Sequence, residues 1–186
     1  FTKAPIGKII KSDIPKALQN KLPLEGYAVK GSIGAGRFAS IPWIVIRDNK
    51  VTSSTKEGVY IAFLFSSDGK RVYLTLNQGT TYFKEKHYEQ SKIKDISNEI
   101  YERFPSSTAS KMNIDLFSDT DLGKGYEPTT VSAFEYDTSN MPAEDQLLSD
   151  VHSLLDDYSK IKQFFIDNDM DLEKFYSEIM GNDTSN

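Results

Sequence analysis

The chain of 186 residues contains no cysteine. That excludes a disulfide scaffold, a cysteine-held zinc and a thiol nucleophile. Histidine is nearly as scarce. The two present, His87 and His152, lie far apart on predicted helices without ligand-spaced partners, so neither is expected to bind metal or move protons. No apolar run reaches the length of a membrane span, and the start, Phe1-Thr2-Lys3-Ala4-Pro5, has no apolar signal segment. No Gly-x-x-x-x-Gly-Lys-Ser/Thr phosphate loop is present, and Gly34-Ala35-Gly36 lacks the third glycine of a dinucleotide site. A Gly-x-Ser-x-Gly elbow is also missing. No catalytic residue, metal or cofactor is therefore expected. The chain does not begin with Met, which suggests a piece of a longer protein.

What is abundant is aromatic side chain: eleven Phe and ten Tyr, within a hydrophobic content of 38%. That suffices for one sizeable domain with its own core. The net charge of −5 by itself opposes nucleic-acid binding. Its distribution does not. Residues 1–50 carry nine Lys/Arg against three Asp/Glu, and residues 137–186 carry three Lys against twelve Asp/Glu. Such a dipolar chain can turn a basic face to phosphate and its acidic end away. Chance asymmetry on a solvated surface is an equal reading of the same numbers.

Patterning predicts one α+β domain over residues 1–186, a curved and mainly antiparallel sheet flanked by helices. Residues 13–21 read as a short helix with Asp13 as N-cap and Pro15 in the first turn. Strands are expected over 27–33, 42–47, 58–65 and 71–76. The last two form a hairpin around Asp68-Gly69. The run Val59 to Phe65 is continuously apolar, as in a strand buried on both faces. Thr80 to Phe104 is predicted as one long helix stopped by Pro105, 122–126 as a loop, and 131–136 as a last strand. Acidic helices occupy 142–180, the first with Leu147, Val151, Leu154, Leu155, Tyr158 and Ile161 along one face.

The unusual stretch lies within residues 27–80. A basic turn, Gly34-Ala35-Gly36-Arg37-Phe38, precedes Ser40-Ile41-Pro42-Trp43, which holds the only Trp, and Gly58-Val59-Tyr60 leads into an apolar strand. Flat aromatics beside cations are what hold an unstacked base and its phosphates. A Trp beside Pro, or a Tyr in an apolar strand, can equally be core. Taken together, the order and gaps of these elements resemble the N-terminal domain of McrB, the DNA-reading part of a modification-dependent restriction GTPase.

The resemblance implies that the chain binds double-stranded DNA and is not an enzyme. It implies recognition of 5-methyl- or 5-hydroxymethylcytosine, flipped out of the duplex into an aromatic pocket. Position by position, Trp43, Tyr60, Leu64 and Tyr126 would form that pocket. The loop Gly34, Ala35, Gly36, Arg37 and Phe38 would enter the duplex, and Lys30 and Ser40 would meet phosphates. The family pattern has a bulky aromatic where this chain has Ala35, so the group that fills the vacated stack is in question. A downstream GTPase motor or nuclease, a cytoplasmic location and a monomeric fragment are further expectations. The alternatives are a reader of an unmodified motif or another modified base, a catalytic domain acting on DNA or a small ligand, and a protein-interaction domain.

Overall fold

The computed structural model describes residues 8–33 and 41–181. Its centre is a hairpin. Strand β3 (Val59–Phe65) contains no charged side chain and is buried along nearly its whole length. Strand β4 (Arg71–Gln78) returns beside it, turning at Gly69 with φ of +73°. A strand with apolar residues on both faces must be covered on both. The remaining elements do this.

β1 (Tyr27–Ser32), β2 (Trp43–Asp48) and β5 (Ser132–Asp137) complete an open antiparallel sheet in the order β1-β2-β3-β4-β5. Its register sets Trp43 between Ser32 and Leu64, and Tyr60 opposite Asn77. Ile44, Ile46, Ile61, Phe63 and Leu74 point to one face, whereas Val45, Tyr60, Ala62, Leu64 and Tyr73 point to the other.

Helices cover the first face. A π-helical turn (Ile9–Asp13) runs into α1 (Ile14–Lys21). α2 (Thr80–Glu85), α3 (Gln90–Arg103), α5 (Glu144–Asp167) and α6 (Leu172–Ile179) complete the layer. Tyr158 on α5, 1% exposed, donates to Val59 O at 2.8 Å and accepts from Asp48 N at 3.0 Å, tying α5 to two strands. Lys162, one turn on, lies 2.7 Å from the Asp48 carboxylate. The second face is covered by residues 110–130. They have little regular structure beyond an isolated bridge, Ser110 to Ala133, and the short α4 (Asp121–Gly125). Among the described residues no helix is long and apolar enough to cross a membrane.

The α+β architecture, the 58–76 hairpin and the apolar face of α5 match the sequence reading. Three local expectations do not. The long helix over 80–104 is two helices, parted where His87 adopts φ of +56°. Phe83 is buried on the first of these helices and Ile93 on the second. His87 is consequently an exposed residue of this break and not part of a helix. Asp13 makes no side-chain cap, because the π-helical turn already supplies helical backbone ahead of it. Residues 121–125 form a helical turn, with the Thr120 hydroxyl accepting from Gly123 N at 3.0 Å.

Gly79 joins β4 to α2 against the backbone of the 52–57 loop. A Cβ there would stand 2.1 Å from Glu57 N and 2.3 Å from the Lys56 carbonyl carbon. Backbone on both sides cannot yield as a flexible side chain would. Gly79→Ala is therefore expected to cost about 1–3 kcal/mol or more, read from the midpoint of chemical unfolding.

Candidate nucleic-acid interface

Alternation along β2 and β3 sends Trp43, Val45, Tyr60, Ala62 and Leu64 to the face opposite the helices. Tyr126, just after α4, packs over them, and Thr55 closes the far end. Together these seven residues line one narrow cleft of about 30 Å³, the room of one water molecule, so a larger ligand would enter as the walls part. The floor is apolar and closed: Ala62 and Leu64 are each 1% exposed. Trp43, Thr55 and Tyr126 are only half-buried and stand at the mouth.

The structure thus brings Trp43, Tyr60, Leu64 and Tyr126 together, with Tyr60 and Leu64 as floor and the other two as walls. Val45, Ala62 and Thr55 also line the cleft. The first two were readable as the i+2 partners of Trp43 and Tyr60. Thr55 lies in an irregular loop and left no sequence signal. Lys30 is exposed on β1 directly opposite Val45, hence on the cleft face. Arg47 shares that face, and its guanidinium donates to Thr52 O at 3.3 Å. Gly34, Ala35, Gly36, Arg37, Phe38 and Ser40 lie outside the described residues.

Two buried polar groups fix the walls. The Tyr60 hydroxyl donates to Thr55 O at 2.9 Å, holding the 52–57 loop to the floor. Burial raises the phenols of both Tyr60 and Tyr126 above their usual range. A raised phenol stays protonated below its shifted value, so both rings present neutral hydroxyls at any working pH. The second group is Asn77, 1% exposed at the end of β4. Its amide nitrogen donates to Thr130 Oγ1 at 2.9 Å and Thr75 Oγ1 at 3.1 Å. Its amide oxygen accepts from Thr129 Oγ1 at 2.7 Å and Gln78 N at 2.8 Å. Thr130 Oγ1 in turn donates to Tyr126 O at 2.8 Å. The Tyr126 backbone is therefore tied to Asn77 through the Thr130 hydroxyl.

Lys30 and Arg47 stand on the cleft side of the sheet, and the acid-rich α5 and α6 pack on the other. Neither layer is of one sign: α1 carries Lys16 and Lys21 behind the sheet, and Glu135 on β5 bonds Tyr73 on the cleft face.

Trp43 is the only Trp and lies at this mouth, so its emission reports on the cleft. Asn77→Ala should destabilise the fold by about 1–3 kcal/mol, since it strands buried partners. It should also shift Trp43 emission to the red, as the Tyr126 wall loosens. An unchanged emission with lowered stability would count against the coupling. No group lining the cleft titrates near neutrality, so whatever binds there should do so with equal affinity between about pH 6 and 9.

A family model described as the N-terminal domain of MrcB-like proteins matches residues 1–163. No curated protein matches the chain. The match takes in the whole sheet, the cleft and most of α5. The chain belongs to the MrcB-like N-terminal domain family, a family of DNA-binding domains.

Proposed function

We propose that this domain reads modified cytosine in duplex DNA, taking the base out of the stack and holding it between Trp43 and Tyr126. The observation that carries the reading is the cleft itself. Two half-buried aromatic walls stand over an apolar floor, on the sheet face that also bears Lys30 and Arg47. Aromatic walls offer stacking to replace what the base loses on leaving the duplex, a cost of a few kcal/mol. Lys30 supplies a phosphate contact beside the mouth, and Ser40 a second from the connection between β1 and β2. A substituent at cytosine C5 would meet the apolar floor of Val45, Ala62 and Leu64. One methyl in close contact is worth on the order of 1 kcal/mol, or about fivefold in affinity. Selectivity for the modification should be modest at each site and depend on fit. The Gly34–Phe38 loop would approach the duplex where the base leaves. The domain would deliver this recognition to a GTPase motor or nuclease elsewhere in a restriction system.

The test is binding of matched duplexes bearing cytosine, 5-methylcytosine, 5-hydroxymethylcytosine or N6-methyladenine. Modified cytosine should bind about fivefold more tightly than cytosine, and binding should weaken as salt rises. Trp43→Ala and Tyr126→Ala should each lose at least tenfold while the variants remain folded. Equal affinity for all four duplexes would reject the modification reading. Loss of folding in Trp43→Ala without a binding defect in Tyr126→Ala would assign both rings to the core.

A further inference from the structure

Phe117 stands out among the described residues. It is 54% exposed, the most exposed of the large apolar side chains and the only aromatic among them. Its backbone adopts φ of +52°, a left-handed conformation that a bulky side chain rarely takes. A free apolar ring on a strained backbone contributes nothing to the core. Residues held in such conformations tend to gather at functional sites.

The strain is enforced from both sides. Phe117 N donates to Asp115 Oδ1 at 2.9 Å, and the Ser67 hydroxyl donates to Phe117 O. The preceding residue, Leu116, is fully buried in the cluster that contains the cleft floor. Its N donates to Glu127 Oε1 at 3.1 Å, and its carbonyl accepts from Ser67 N at 2.9 Å. Glu127 follows Tyr126. Ser67 lies just beyond the end of β3, where Phe65 N donates to Pro42 O beside Trp43. Phe117 is thus braced by the same short hydrogen-bonded connections that lead to both walls of the cleft. It lies at the end of the sheet from which the β1–β2 connection leaves, because Ser32, Trp43 and Leu64 form one row there.

Resting on the DNA reading above, we propose that Phe117 is the wedge that enters the duplex and fills the stack vacated by the extruded base. Removing a base leaves a gap between its neighbours, and proteins that open a stack commonly place an apolar ring in it. Ala35 has only a methyl to offer. Phe117 has the area, is outside the core, and has its backbone held in place before DNA arrives, so only the ring needs ordering on binding.

The experiment compares two DNA substrates. One is a fully paired duplex with a central 5-methylcytosine. The other carries that nucleotide as a single-base bulge, where the flanking pairs can stack on each other and no gap needs filling. Phe117→Ala should weaken binding to the paired duplex at least tenfold and to the bulge less than threefold. Phe117→Gly should show the same contrast while its melting temperature is equal to or above wild type, since glycine relieves the left-handed backbone. A 2-aminopurine flanking the target should be quenched by stacking in wild type and brighter in both variants. Equal losses on the two substrates would make Phe117 a general contact, and no loss on the paired duplex would remove it from the interface. Either result overturns the wedge. Trp43→Ala separates the two readings: it should lose binding to both substrates, and if it loses neither, the pocket fails on its own. Failure of wild type to bind either substrate would reject the DNA reading itself.

Discussion

Asn77 and Gln78 end β4 side by side, and their amides point to opposite faces of the sheet. Both are buried, so each polar atom needs a partner inside the protein. Gln78 finds Ser97 Oγ on α3 at 2.9 Å and the Tyr176 hydroxyl on α6 at 2.8 Å. Asn77 finds the hydroxyls of Thr129 and Thr130. The Gln78 amide also donates to Thr129 O at 3.1 Å, so the two networks meet at one residue. The helical layer and the irregular layer are thereby fastened to the same strand end. Fully satisfied networks of this kind specify one arrangement, and one missing member leaves the others costly.

This matters most for the irregular layer. Residues 110–130 cover a sheet face without a strand ladder or a long helix to satisfy their backbone. Their order comes from side chains: Asn77 on Thr130 Oγ1, Glu127 on Leu116 N, Ser118 on Thr120 N, and Asp115 on Phe117 N. The same layer supplies one wall of the cleft and the exposed Phe117. A segment held by many specific polar bonds can present strained or exposed groups that a regular element would not tolerate. The helical side near this strand end is filled by aromatic packing such as Tyr82 on Tyr176, with ring centroids 4.9 Å apart.

Charge is only partly sorted. Lys30 and Arg47 stand on the cleft side and the acidic α5 and α6 on the other, so a protein of net charge −5 keeps its most acidic helices away from the cleft. The mouth of the cleft is small in charge and rich in ring area.

Much was legible in the residues alone. The continuous apolar run of β3, the Asp68-Gly69 turn and the 3.6-residue stripe of α5 are local patterns with local causes, and they form as read. The resemblance to the McrB N-terminal domain grouped Trp43, Tyr60 and Leu64, and the register of β2 on β3 sets them on one face. Other features required the tertiary structure. The break at His87 rests on one residue in left-handed backbone, which the periodicity does not mark. Tyr126 is held near the cleft through Thr130, which Asn77 bonds from some fifty residues earlier, and no periodicity encodes that bond. Phe117 reads as one more apolar residue in a mixed segment, and only its exposure and left-handed backbone distinguish it. Short-range periodicity determined the strands and helices, because their hydrogen bonds close within a few residues. The cleft and its rim were decided by long-range polar bonds, because an irregular layer has no internal ladder to satisfy its backbone.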